Sequence, residues 1–172
     1  MNYKVKLESI KLFVFDYDGV FSDGIVLLLE DGTQARQAST RDGYSVQWAV
    51  KQGLKLALLT GGSEKAVENR MRKLGVEEVY MGCSDKLESL TALCAKLGVE
   101  LSDVAYMGDD IPDLPSMKVV GLALCPHDAV EEIRAVSHYI SPVDGGKGCV
   151  RDVLEQVMRL RGIWSTENSH KW

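Results

Sequence analysis

Four short groups of residues in this chain have the types and spacing that chemistry needs. The first is Asp16 and Asp18, one residue apart at the end of the apolar run Leu12–Phe15 in KLFVFDYDGV. Residues two apart in an extended chain project to the same side, so the two carboxylates can converge. The second is Thr60 with Gly61 and Gly62, directly after the apolar run LKLALL. The third is Lys86, behind Asp85. The fourth is GDDIPD, which offers Asp109, Asp110 and, one helical turn later, Asp113. Carboxylates brought together repel, and some are forced neutral. A hard divalent cation removes that repulsion, and Mg²⁺ is typically held by one or two carboxylates plus phosphate oxygens. The Thr60 hydroxyl and the Lys86 ammonium suit the equatorial oxygens of a phosphoryl group in transfer. The backbone N–H groups after Thr60, near a helix start, suit an anion.

Each group alone is more often structural than catalytic. Their order, each at an expected strand end or helix start, gives the signal its weight. Lys86 adds a physical clue, because the first turn of a helix is a poor place for a cation. Two other readings compete. A receiver domain also gathers acids, a threonine and a lysine, but it has a lone phosphoacceptor where this chain has Asp16 and Asp18. A non-catalytic oligomerisation module predicts eroded motifs, and all four groups here are intact.

The elements that must position these groups follow from the hydrophobic pattern. Short apolar strands are expected at Lys11–Phe15, Leu54–Thr60, EEVYMG, VAYMGDD, VVGLAL and, more weakly, HYI. Helical patterns lie between them: Asp42–Gln52, a helix capped by Ser63 and running to Leu74, Asp85–Leu97, Ala129–Val136 and Val150–Leu160. The last places Val150, Val153, Leu154, Val157 and Met158 on one face. Such alternation predicts an α/β fold, a Rossmann-like doubly wound parallel sheet with helices on both sides. In such sheets the site lies at the carboxyl ends of the strands, where all four groups fall.

One segment breaks the alternation. GIVLLLEDGTQARQA has two extended halves around Asp31-Gly32, a hairpin signal. Its first half, Ile25–Leu29, is apolar on both faces. It reads either as one more strand of the main sheet or, as favoured here, as a protruding hairpin that packs on copies of itself.

The 172 residues suffice for one domain with a real core, expected over residues 1–163, with residues 164–172 as a flexible tail. A net charge of −5 argues against general nucleic-acid binding. No apolar run approaches the ~20 residues of a membrane span, and MNYKVKLESIK lacks a signal-peptide core, so cytoplasmic residence is expected. The four cysteines, Cys83, Cys94, Cys125 and Cys149, form no CxxC pair and read as reduced thiols. His127, His138 and His170 lack metal-ligand spacing.

With DYDGV, LLTGG, Lys86 and GDDIPD in that order, the sequence resembles the haloacid dehalogenase-like superfamily of aspartate-nucleophile phosphatases. The resemblance implies that Asp16 is the nucleophile and forms an aspartyl phosphate. It makes Asp18 the general acid toward the leaving group and then the base toward water. It implies Mg²⁺ bound by Asp16, the Asp18 main-chain carbonyl and Asp109, with Lys86 steadying Asp16 and the phosphoryl charge. No cap domain fits between these motifs. The chain therefore resembles the capless, tetrameric branch that contains the phosphatases of 3-deoxy-D-manno-octulosonate (KDO) 8-phosphate. DGVFSDG, STRDGYSV, GCSDK, AYMGDD and GGKGCVRD carry that likeness along nearly the whole chain.

By this resemblance the activity is hydrolysis of a keto-deoxy sugar-acid phosphate in lipopolysaccharide precursor synthesis. The alternative is a sialic-acid-type 9-phosphate. The resemblance also implies a homotetramer built through the 25–38 hairpin. It places Asp18, Arg41, Asp42, Gly43, Thr60, Gly61, Arg70 and Lys86 against the substrate, with Arg70 suited to fork onto a carboxylate. A solvated helix face is the plain alternative for Arg70. The tail after the GGKG segment, residues 145–148, is implied to reach a neighbouring subunit's site; for the GGKG loop a plain flexible connector competes. Gly62 departs from both branches, one tending to arginine and the other to glutamate at that position.

Overall fold

The computed structural model describes residues 2–165, 167, 169 and 170. Its backbone runs α1 (Tyr3–Ser9), β1 (Leu12–Phe15), β2 (Leu27–Leu28), β3 (Gln34–Ala35), α2 (Thr40–Lys51), β4 (Lys55–Leu59), α3 (Lys65–Lys73) and β5 (Glu78–Tyr80). It continues with α4 (Lys86–Leu97), β6 (Val104–Met107), α5 (Leu114–Met117), β7 (Leu122–Cys125), α6 (Glu131–Val136), β8 (Tyr139–Ile140) and α7 (Cys149–Leu160). Six strands form one sheet in the order β5-β4-β1-β6-β7-β8, and every pairing is parallel. The expected doubly wound α/β architecture is what the chain adopts.

β1 explains how this sheet is built. All four of its residues are buried, and alternate side chains serve opposite layers. Phe13 and Phe15 join the core formed with α1, α2, α3 and α7. Leu12 and Val14 join the core formed with α4, α5 and α6. A strand covered on both faces reads as a continuous apolar run, as this one does. Its neighbours are β4 and β6, and in register Phe15 lies level with Leu58 and Met107. The chain winds outward from β1 through β4 to β5, then returns to β6 and winds the other way. The crevice at that reversal is where α/β sheets bind ligands. Asp16, Thr60 and Asp109 leave the three central strands at that end.

Several helix ends follow local signals. The Asp85 side chain accepts from the Glu88 N–H at the start of α4, and Gly98 closes that helix at φ +62°, where a side chain would be strained. α3, by contrast, starts after Glu64, which makes no side-chain cap bond, and Ser63 stays in the exposed loop before it. The Ser63 cap is therefore corrected to an uncapped start two residues later. α1 was not anticipated. The Asn2 side chain caps it at Lys4 N–H, and it seats Leu7 in the core.

The hairpin does not join the main sheet. β2 and β3 pair only with each other, antiparallel, with Leu27 opposite Ala35 and Leu28 opposite Gln34. The Asp31 carboxylate accepts from the Thr33 N–H in the turn. Ile25, Leu27, Leu28 and Leu29 are 70%, 62%, 73% and 44% exposed. Around the expected tail boundary, the described residues keep contacts with the core. Trp48 Nε1 donates to the carbonyls of Ile163 and Trp164 at 3.2 and 3.1 Å. The Trp164 ring meets Tyr44 edge-on, with Arg151 and Arg159 guanidinium groups over it. Thr166, Asn168, Lys171 and Trp172, also assigned to the expected tail, lie outside the described residues.

Candidate active site

The centre of the site is Lys86, and its geometry begins with α4. The Asp85 cap sets Lys86 in the first turn, from which its side chain reaches back to the sheet. Its Nζ lies 2.9 Å from Asp16 Oδ2 and 2.7 Å from Asp113 Oδ1, with all three side chains at least 92% buried. Burial alone would lower its pKa; Asp16 and Asp113 hold it above the ordinary value. The unfavourable helix-start position is offset by these two carboxylates.

Asp16 follows the last residue of β1, and its N–H donates to the Met107 carbonyl, which fixes it against β6. Asp109 leaves β6 beside it, and its carbonyl accepts from Val130 N–H. Gly19 permits this approach: a Cβ there would lie 1.9 Å from Asp109 Oδ2. Oxygens of Asp16, Asp109 and Asp113 all lie within 4.8 Å of one another. Burial, then the neighbouring Asp113 charge, pushes Asp16 up to about 7. Burial, with Asp16 and Asp113, pushes Asp109 up to about 8. A cation beyond Lys86 would bring both carboxyls back toward their ionised forms. Asp16 Oδ1 is buried and has no hydrogen-bond partner. An oxygen-only set of this charge fits a hard divalent cation of the Mg²⁺ type.

Asp113 was picked out in GDDIPD without a role, and the structure supplies its contacts. Its Oδ1 accepts from the buried Tyr106 hydroxyl at 2.8 Å as well as from Lys86, and its Oδ2 accepts from Asp109 N–H at 3.2 Å. It joins the lysine to the Asp109 backbone. Asp110, by contrast, turns to its own backbone and accepts from Ile111 N–H.

Asp16, Asp18, Thr60, Gly61 and Lys86 line one open cleft of about 540 Å³, together with Gln34, Arg36, Gly62, Glu64 and Cys83. Thr60 is buried, and its Oγ1 accepts from Gly62 N–H at 3.2 Å. The loop after β4 is braced by Cys83 N–H to the Thr60 carbonyl and Gly82 N–H to the Gly62 carbonyl. The Asp18 carboxylate stands outside the three-carboxylate cluster. Its Oδ1 instead accepts from Arg36 Nε at 2.6 Å and from Ser22 Oγ at 3.2 Å. Arg36 was also missed; it lies just past β3, and only the folded chain brings it to Asp18.

The other expected substrate residues gather elsewhere. Arg41 lines a separate depression of about 280 Å³ with Asp23, Ser39, Gly146 and Lys147. Asp42 is fully buried, and its Oδ1 accepts from Arg151 N–H in the first turn of α7. Gly43 is buried against Arg70: a Cβ there would lie 2.9 Å from Arg70 Nη2. Arg70 Nη2 donates to the Ser39 carbonyl at 3.2 Å. Within the single chain, Arg41, Asp42, Gly43 and Arg70 therefore organise the start of α2 and are not among the residues of the Asp16 cleft. The GGKG segment lies against the Asp16 loop, with Gly146 N–H donating to the Val20 carbonyl.

Comparison with known proteins matches residues 44–121 to the haloacid dehalogenase-like hydrolase family model. The chain is 36% identical over 157 residues to the 3-deoxy-D-manno-octulosonate 8-phosphate phosphatase KdsC of Escherichia coli K12, covering 91% of this chain and 84% of the relative. A crystal structure of 3-deoxy-D-manno-octulosonate 8-phosphate phosphatase from Moraxella catarrhalis, with magnesium, phosphate and KDO, superposes with a TM-score of 0.89 at 39% identity over 92% of each chain. The cobalt-bound deoxy-D-mannose-octulosonate 8-phosphate phosphatase of Haemophilus influenzae superposes with a TM-score of 0.89 at 26% identity, covering 95% of this chain and 98% of that one.

Proposed function

We propose that this chain, which belongs to the haloacid dehalogenase-like hydrolases and within them to the KdsC phosphatases, hydrolyses KDO 8-phosphate to KDO and inorganic phosphate with Mg²⁺. The observation that carries this reading is the buried Asp16–Lys86–Asp113 chain at the carboxyl end of β1, with Asp109 beside it. It gives a held nucleophile in a cleft whose walls also carry Asp18 and Thr60. The relatives are eight-carbon sugar-acid phosphatases, so the nine-carbon alternative is not favoured.

Asp16 and Asp109 would hold Mg²⁺, with the Asp18 carbonyl as the further ligand expected from the resemblance. Bound there, the ion offsets the carboxylate charge and the charge of the phosphate. The chain's own residues do the rest. Lys86 holds Asp16 Oδ2 and orients the carboxylate. An Asp16 oxygen attacks phosphorus, the P–O bond to the sugar breaks, and protonated Asp18 gives its proton to the departing oxygen. Asp18, now a base, takes a proton from water as the water oxygen attacks the aspartyl phosphate. That step frees phosphate and restores Asp16. In this reading Thr60 and Lys86 bind equatorial phosphoryl oxygens.

The same reading places the protein in the cytoplasm, in lipopolysaccharide precursor synthesis, as a homotetramer built through the 25–38 hairpin. Arg41, Asp42, Gly43 and Arg70 remain proposed substrate-side residues, for which a neighbouring subunit completing the site is the natural setting. No helix among the described residues is long and apolar enough to cross a membrane. Phosphate release with Mg²⁺ tests the activity on KDO 8-phosphate and on sialate-type 9-phosphates. KDO 8-phosphate is cleaved fastest, and chelation stops release. Asp16→Asn melts like the parent and releases no phosphate; residual turnover near the parent's rate would remove Asp16 from the role of nucleophile.

A further inference from the structure

The side chain that touches the Asp18 carboxylate most closely comes from the hairpin. Arg36 stands one residue beyond β3, yet its side chain is only 8% exposed. Its Nε lies 2.6 Å from Asp18 Oδ1, and its Nη1 lies 3.0 Å from Glu64 Oε1. Its Nη2 donates to Gln34 Oε1 at 3.4 Å. Gly62 leaves the space for this arrangement: a Cβ there would lie 2.9 Å from Glu64 Oε2 and 3.9 Å from Arg36 Nη2. The guanidinium thus hydrogen-bonds Asp18 and Gln34, the latter two residues before it in the hairpin, and forms an ion pair with Glu64. A planar fork in such a slot fixes direction as well as charge, which a flexible ammonium does not. Ser22 Oγ adds a second donor to the same oxygen, Asp18 Oδ1, at 3.2 Å. Asp18 Oδ2 has no hydrogen-bond partner among the described residues, and Asp18 lines the cleft.

We propose that Arg36 is a positioning residue for proton transfer: with Ser22 it anchors Asp18 Oδ1 and so presents Oδ2 as the oxygen that carries the proton. This rests on the reading of Asp18 as general acid and base given above. Arg36 touches neither phosphorus nor the reacting proton; it acts through Asp18. An acid that wanders in the cleft loses the benefit of a pre-set geometry, and a positioned general acid contributes about 10²–10⁴-fold. Glu64 and Gln34 act one step further out, by keeping the guanidinium in its slot.

The contribution of a general acid grows with the basicity of the leaving oxygen, and this separates the role from simple folding or substrate binding. The test is kcat/KM, which reports steps up to departure of the leaving group, on aryl phosphates of graded leaving-group acidity and on KDO 8-phosphate with Mg²⁺. In Arg36→Ala, esters of acidic phenols stay within about 3-fold of the parent, while KDO 8-phosphate loses about 10–100-fold. The plot of log kcat/KM against leaving-group pKa steepens, and Arg36→Lys falls between. In the Asp18→Asn background the slope is already steep, and adding Arg36→Ala leaves it unchanged. An equal loss across all aryl esters, an unchanged slope, or a further steepening in the Asp18→Asn background overturns the proposal. A parent-like slope in Asp18→Asn itself would instead overturn the role given to Asp18.

Discussion

Asp42 is fully buried at the junction of α2 and α7, with Oδ1 accepting from Arg151 N–H at 2.7 Å and Oδ2 without a partner. Burial, partly countered by that hydrogen bond, pushes it up to about 6 from the ordinary 3.8. The folded state therefore holds a proton that the unfolded chain would release. Stability from this group is greatest below pH 4 and is lost as the pH rises to about 6; the full penalty is about 3 kcal/mol. Asp42→Asn keeps an oxygen for Arg151 N–H and removes the charge. Its stability matches the parent at pH 4 and exceeds it by about 2 kcal/mol at pH 8, measured as the shift in urea midpoint at each pH. An equal loss at both would mean the carboxylate is needed as an anion. The same residue shows what was legible at this scale. Asp16, Asp18, Thr60, Lys86 and Asp109 could be picked out because each sits beside its strand or helix signal. Arg36 and Tyr106 could not, since their value lies in partners at 2.6 Å and 2.8 Å that belong to other segments or to a later turn. Asp42 was visible as a chemical residue, but nothing local revealed that it faces α7.

Most elements were legible because their signals are local. β1 reads as a run buried on both faces, and α7 reads as an apolar stripe whose Val150, Val153, Leu154, Val157 and Met158 are all buried. α1 was missed because its core contribution is a single buried residue, Leu7, too little to make a periodic pattern. Beyond α7, Trp164, the first residue of the expected tail, meets Tyr44 of α2 at 6.0 Å between ring centroids. Arg151 and Arg159 of α7 lie 5.2 and 5.7 Å from its centroid. Two partly exposed cation–π contacts and one edge-on aromatic pair are together worth about 1–2 kcal/mol. Trp164→Ala therefore lowers the melting midpoint by roughly 4 °C while kcat/KM per site stays at the parent's value. An unchanged midpoint would mean that this ring does not tie α2 to α7 in solution.

At the scale of the whole molecule, the exposed surface of the hairpin is the feature a single chain does not explain. β2 and β3 pair over two residues each, and an isolated two-stranded ribbon is at best marginally stable in water. Four aliphatic side chains, Ile25 and Leu27–Leu29, point largely to solvent from this weak element. A contiguous apolar patch of that kind marks a surface meant to be covered. Self-association covers it symmetrically, and a stable assembly buries at least about 1,000 Å² at such an interface. Because these side chains are exposed in the single chain, replacing them costs its core nothing. Leu27→Glu with Leu28→Lys therefore leaves the far-ultraviolet circular dichroism unchanged and shifts the mass by light scattering from that of the proposed tetramer to smaller species. A parent that is already monomeric at micromolar concentration, or a double variant that keeps the parent's mass, would remove the hairpin from assembly. The hairpin also ends at Arg36, so any surface that holds its two arms together holds the segment that carries the guanidinium to Asp18.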